Sequence, residues 1–166
     1  MNRIVSLTCV EHPSIQRQGR ALISEFALDS PQRPFFLALL AEALALAGKI
    51  EEGLATVDDA LTTTAASGAK GWNAEIHRLR GELTGRLPYP DPAKAEESFR
   101  TALAIAHEQG TRGYELRAAT SLARLWAEQG RRGEARDLLA PVYSWFTEGF
   151  NTADLKDAKA LIDELA

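Results

Sequence analysis

Leu37, Leu40, Ala41, Leu44, Gly48, Gly53, Val57 and Ala60 recur at identical spacing as Ala119, Leu122, Ala123, Trp126, Gly130, Ala135, Leu139 and Val142, a shift of 82 positions. Every member of the second set is apolar or glycine. A chain that repeats its apolar frame in this way is built from units that cannot bury their apolar faces alone and must stack on a neighbour. A third, less regular copy lies between the two. It has Gly81 where Ala41 and Ala123 stand, and Ala95, Phe99 and Ala102 in place of Gly53, Val57 and Ala60. Its internal loop, 87–92, is longer by two residues.

Within each copy the spacing is helical. Strict alternation of apolar and polar residues is absent after residue 10, and Ala, Leu, Glu and Arg dominate. Residues 35–48 are apolar on nearly all sides, which predicts a buried helix. Residues 50–67 place Ile50, Leu54, Val57 and Leu61 on one stripe. A third helix is predicted over 74–83, broken by Pro88 and Pro90, which remove donors and force extended predecessors. Asp91 and Pro92 open a fourth, with Asp as N-cap and Pro at the first helical position; Gly110 ends it. Helices at 114–129, ending at Gly130, and at 134–146 follow, with Pro141 expected to kink the latter near Asp137. Residues 14–28 read as one more helix.

The final stretch, 145–166, reads WFTEGFNTADLKDAKALIDELA. Asn151 is expected to cap a last helix, with Asp154 completing a capping-box-like pair. Leu155, Ala158, Leu161, Ile162 and Leu165 form its apolar stripe, and Lys156, Asp157, Lys159 and Asp163 its wet face.

The repeat resembles the tetratricopeptide repeat over about residues 34–146. Small residues at 41, 81 and 123 let paired helices approach, and large ones, Leu44 and Trp126 among them, fill the gaps. The copies lie 40 to 42 residues apart rather than the usual ~34, and the middle one carries His77, Arg80 and Thr84 at positions expected to be apolar. The implied fold is all-α: an α-solenoid of antiparallel helix pairs, about three pairs with capping helices. The implied division is an N-terminal segment with an orphan helix (1–33), repeats (34–150) and a C-terminal capping helix (151–166). Residues 74–166 further resemble the C-terminal segment of large bacterial signalling proteins that join an adenylate-cyclase or DNA-binding head, an AAA-type ATPase and a tetratricopeptide tail. No phosphate-binding G-x-x-x-x-G-K accompanies them; the one Gly-Lys pair, Gly48-Lys49, has Ala43 where the first glycine belongs. The resemblance implies the helical platform without the head's chemistry.

Composition excludes several classes. The 166 residues are 45% hydrophobic and 25% charged, with net charge -4, and the charges are interspersed, so no nucleic-acid footprint exists. No stretch approaches the ~20 apolar residues of a membrane span, and the apolar run 4–10 is too short for a signal-peptide core. Cys9 is alone, so no internal disulfide forms, which fits a reducing cytoplasm. Cys9 and His12 lack a second pair for zinc. His77 is expected at a packing position and His107 on an outer face. The adjacent pairs Glu51-Glu52, Asp58-Asp59 and Glu96-Glu97 point apart on a helix and are expected to be solvated. No serine stands in a G-x-S-x-G context. Neither catalytic residue, metal nor cofactor is expected.

In tetratricopeptide proteins the first helix of each pair lines a concave groove. Carried over by position, the resemblance points to Phe35, Ala38 and Glu42 in the first copy, Arg78 and Glu82 in the second, and Arg117, Thr120 and Arg124 in the third. The three arginines could hold peptide carboxylates by bidentate bonds, or could instead pair with Glu82, Glu115 and Glu128 as a solvated face. The expectation is a non-enzymatic scaffold that binds protein or peptide, in bacterial signalling. The alternatives are a regulatory piece docking on a cyclase or ATPase encoded elsewhere, and a self-associating remnant. A homodimer is expected through the N-terminal helix, whose Ile15, Leu22, Ile23, Phe26 and Leu28 lack a mate.

Overall fold

The computed structural model describes residues 32–166 apart from Ala69. The expected helix at 14–28, the apolar run 4–10, and Cys9 with His12 lie outside the described residues. Among those described, seven α-helices occur and no strand: α1 (Arg33–Leu46), α2 (Ile50–Ser67), α3 (Asn73–Gly85), α4 (Pro92–Glu108), α5 (Arg112–Glu128), α6 (Arg132–Ser144) and α7 (Ala153–Glu164). The fold is all-α, and none of these helices is long and apolar enough to cross a membrane. The chain divides into two compact units, Met1–Trp72 and Asn73–Ala166, so the division falls inside the stretch expected to be one array.

The helix limits follow local chemistry. Asp91 caps α4 as expected: its Oδ1 accepts from the Lys94 amide at 3.0 Å. The amide and ammonium of Lys94 hold its carboxyl below the ordinary value. The repeat-matched pair Gly48 and Gly130 end α1 and α5 with positive φ, 75° and 79°. At each, the next residue's amide reaches back to the fourth residue before the glycine, Lys49 to Leu44 at 2.9 Å and Arg131 to Trp126 at 2.8 Å, so orphan carbonyls are satisfied by a left-handed residue that only glycine adopts cheaply. The second helix of each copy starts with a charge pair one turn apart. Lys49–Glu52 (3.2 Å) and Arg131–Glu134 (2.8 Å) match in the repeat, and Asp91–Lys94 (3.1 Å) repeats the pair with its signs reversed. Thr residues inside helices bond a carbonyl of the preceding turn, as Thr56 does with Glu52 and Thr84 with Arg80, which satisfies their hydroxyls.

In the first unit α1 packs along α2 over Leu37, Ala41, Leu44, Val57 and Ala60, all nearly or fully buried. Phe35 stacks on Trp72 at 4.4 Å between centroids, and Arg33 reaches Asp59 at 3.1 Å. The expectation that α1 is buried on all sides is corrected: Phe36, Leu39 and Leu46 are exposed. A sequence that is apolar on nearly all sides does not say which faces find a partner.

In the second unit consecutive helices pack in antiparallel neighbours, α3 on α4, α4 on α5 and α5 on α6. Helices α3 and α7 also lie against α5, so the odd-numbered helices are side by side. The core runs through Phe99, Leu116, Leu122, Trp126 and Leu139 and continues to Leu155 and Leu161 of α7. Helix α6 runs through Pro141 without interruption. The expected Asn151 cap is corrected: Thr152, with extended backbone, is the N-cap of α7, and its hydroxyl donates to the Gly149 carbonyl instead of accepting helix amides. The left-handed turn at Gly149 (φ 76°) carries the chain past Asn151 before the helix starts.

Candidate functional site

Five of the eight expected groove residues come together in the second unit. Arg78 and Glu82 on α3 face Arg117, Thr120 and Arg124 on α5 across a cleft of about 110 Å³, and Asp154 and Asp157 of α7 close it. They share a wall because residues three, four and seven apart on a helix project from one side, and because α3 and α7 flank α5. Phe35, Ala38 and Glu42 lie on α1 of the first unit, Phe35 and Glu42 half-buried and Ala38 buried.

The arginines are not equivalent. Arg78 is buried, and its fork is engaged by Glu75 one turn back, Nε to Oε2 at 3.0 Å and Nη2 to Oε1 at 2.8 Å, with Glu82 at 3.3 Å. Of the two readings, pairing within the chain describes Arg78: a buried guanidinium needs a carboxylate beside it, and Glu75 supplies one within the helix. Arg117 reaches the same Glu75 at 2.9 Å and stands 3.9 Å from Asp154. Arg124 has 47% of its side chain exposed and meets Asp157 at 3.8 Å, beyond hydrogen-bond length. Thr120 donates to Leu116 O of its own helix at 2.8 Å. Ser121 donates to Glu82 Oε1 at 2.6 Å and ties α5 to α3.

The pairing partners therefore differ from the expected Glu82, Glu115 and Glu128: only Glu82 takes part. Glu115 is buried elsewhere, held by His107 Nδ1 at 2.9 Å and by Arg112. Burial alone would raise its pKa; the bonds from His107 and Arg112 outweigh that and hold it below the ordinary carboxylate value. His107 itself is on an outer face, as expected. His77 is half-buried, and burial, with Arg80 nearby, lowers its pKa.

A second space, of about 170 Å³, adjoins the first and shares Glu82, Ser121 and Arg124 with it. Its apolar lining is Gly81, Gly85, Ala95, Phe99 and Leu125. A Cβ on Gly81 would stand 2.5 Å from Phe99 Cε1, whereas one on Gly85 would meet nothing within 4 Å. The ring of Phe99 thus occupies the room that the missing side chain leaves at 81, and the room at 85 stays open.

One expected surface pair proved to be a hub. Glu96 accepts from Arg100 at 3.0 and 2.8 Å and from Arg131 at 3.0 Å. Burial pushes the Glu96 carboxyl up, but these guanidinium groups and the neighbouring Trp126 indole pull it below its ordinary value. The indole N–H, though close enough to act on Glu96, has no partner in hydrogen-bond geometry. Arg100 and Arg131 also stand over the Trp126 ring, 5.1 and 4.4 Å from its centroid. The Glu75–Arg78–Glu82 spacing was available in the sequence as i,i+3 and i,i+4 pairs, and so was Glu96–Arg100; the roles of Ser121, Asp154 and Asp157, and the approach of Arg131 to Glu96, had no local signal.

Among the described residues no group of three or more His, Cys, Asp and Glu could hold a metal ion. No family model matches the chain. A stretch of 98 residues, 59% of the chain, is 36% identical to an uncharacterized protein of Rhizobium meliloti (strain 1021). The matched stretch spans 9% of that protein's length.

Proposed function

We propose that the chain is a non-enzymatic helical-repeat scaffold of the tetratricopeptide type, a short α-solenoid that binds a protein or peptide along the cleft between α3 and α5, in bacterial signalling or regulation within the cytoplasm. The observation that supports this reading is the cleft itself. It brings Glu82, Arg117, Thr120 and Arg124 of two neighbouring first helices to one wall, and Arg117 and Arg124 stand at the edge of ion-pair range from the two aspartates of α7. Arg117, which keeps Glu75 at 2.9 Å, and Arg124, two turns on, each have a long contact to an aspartate that a partner's carboxylate can replace.

The test is capture of a partner by the intact chain, repeated with Arg117→Ala/Arg124→Ala. Loss of capture with an unchanged unfolding midpoint supports the cleft, and capture that ignores both arginines refutes it. Turnover of ATP that survives stringent purification and vanishes on a point mutation would overturn the non-enzymatic reading. A second reading, a docking piece of a larger regulator, draws on the relative of which this match spans only 9%. Self-association through the N-terminal segment is tested by light scattering on the intact chain and on a deletion of residues 1–12; a monomer at high concentration refutes it.

A further inference from the structure

We propose that the open space at Gly85 is a side-chain pocket of the cleft, which takes one aliphatic side chain (Leu, Ile or Met) of a partner peptide whose nearby carboxylate is held by Arg124; this rests on the peptide-binding reading above. Gly81 and Gly85 lie one helical turn apart on the same side of α3, so two adjacent side chains are missing from the side that meets Phe99 of α4. The chain fills the first gap with the Phe99 ring, 4% exposed, and leaves the second unfilled. What remains is a space of about 170 Å³ floored by Phe99, Ala95 and Leu125. An apolar cavity of about 150 Å³ is enough for a benzene-sized group, so the space suits a single side chain and is too small for a drug-sized molecule, for which pockets start near ~300 Å³.

The charges around the space choose the neighbour of that side chain. Glu82 is already bonded to Arg78 and Ser121. Arg124 lines both spaces, is half exposed, and has Asp157 only at 3.8 Å. Arg86 and Glu128 line this space and not the adjoining cleft. Glu128 stands one turn beyond Arg124 and repels a carboxylate at its own end. An acidic residue beside the aliphatic one is held by Arg124, where the space meets the cleft.

The experiment measures fluorescence anisotropy of short labelled peptides of Ser and Gly that carry Leu, Ala or Lys at the centre, with Glu-Glu or Lys-Lys two positions along, against the intact chain. The Leu/Glu peptide is expected to bind about tenfold tighter than the Ala/Glu and Leu/Lys peptides, a difference of about 1.4 kcal/mol. Gly85→Leu fills the pocket from within the helix and should bring the Leu/Glu peptide down to the level of the Ala/Glu one. Its unfolding midpoint should stay equal or rise, because a Cβ there meets open space and glycine is a poor helix former. Gly85→Ala is the smaller filling and should give a partial loss, which keeps the test intact if the leucine variant folds poorly. Absence of any preference for Leu, or affinity unchanged in Gly85→Leu, overturns the pocket. If Glu-dependence remains and Arg124→Ala removes it, the cleft reading survives that result. If no peptide binds, both fall.

Discussion

Replacing Gly81 by alanine places a carbon 2.5 Å from Cε1, 2.7 Å from Cδ1 and 2.9 Å from Cζ of Phe99. Elsewhere in a helix interior the same change stabilises by about 1 kcal/mol, the difference in helix propensity. Here the contact is with one whole edge of a ring, and that ring is 4% exposed in the core that also holds Leu116 and Trp126. It cannot swing away without displacing them. Overpacking of this kind costs about 1–3 kcal/mol, so the gain of about 1 kcal/mol is cancelled and a net loss of up to about 2 kcal/mol is expected. The other two copies show the relief: where alanine stands at this position, as Ala41 and Ala123, the opposite residue is Val57 or Leu139 and not phenylalanine. Phe99→Leu alone opens a void beside Gly81 and destabilises. The double variant Gly81→Ala/Phe99→Leu reproduces the pairing of Ala123 with Leu139 and should lose less than the sum of the singles by about 1–2 kcal/mol, well above the ~0.5 kcal/mol scatter of independent sites. Urea unfolding followed by circular dichroism on the four proteins gives the cycle. Stabilisation by Gly81→Ala alone, or strict additivity, would refute the close approach of α3 to α4 at this point.

Trp126→Ala should cost about 3–5 kcal/mol in the same assay, as for other buried tryptophans, since the indole is 6% exposed and two guanidinium groups rest on it; a loss under ~1 kcal/mol would mean an exposed ring. Glu96 has a lower pKa folded than unfolded, so it adds stability above the ordinary carboxylate range, and that increment is lost as pH falls through the folded value. Glu96→Gln should accordingly lower stability at neutral pH and flatten its decline on acidification, and parallel wild-type and variant curves down to acid would count against the hub. Asp91→Ala removes the acceptor of the Lys94 amide and should cost about 1 kcal/mol, whereas Asp91→Asn should be nearly neutral; equal losses in both would show that charge and not capping matters there.

Much of the fold was legible before any coordinates. The limits of α4 and the end of α5 depend on groups within four residues of the helix end they serve, so Asp91, Pro92, Gly110 and Gly130 announced them. The stripe Leu155, Ala158, Leu161 and Leu165 is buried as its spacing required, because a helix with one apolar face has one way to hide it. The position of Trp126 followed from its match with Leu44. Half of the cleft could be named as well, since side chains at i, i+3 and i+7 share a wall wherever the helix lies.

What could not be read was set by how helices are rotated and shifted against one another. Helix α1 is apolar on every side, so periodicity is silent about which face meets α2, and Phe36, Leu39 and Leu46 were left outside. Whether Arg78 points to a partner or to Glu75 turns on a few ångströms of desolvation beside α5. The approach of Asp154 and Asp157 to Arg117 and Arg124 joins residues more than thirty positions apart, and the bond from Arg131 that Glu96 gains beside its i,i+4 partner Arg100 needs the α5–α6 turn to reach α4. Local spacing carries none of those distances. They exist only once the apolar stripes have been packed and the polar groups at their margins must find partners in the geometry that packing imposes.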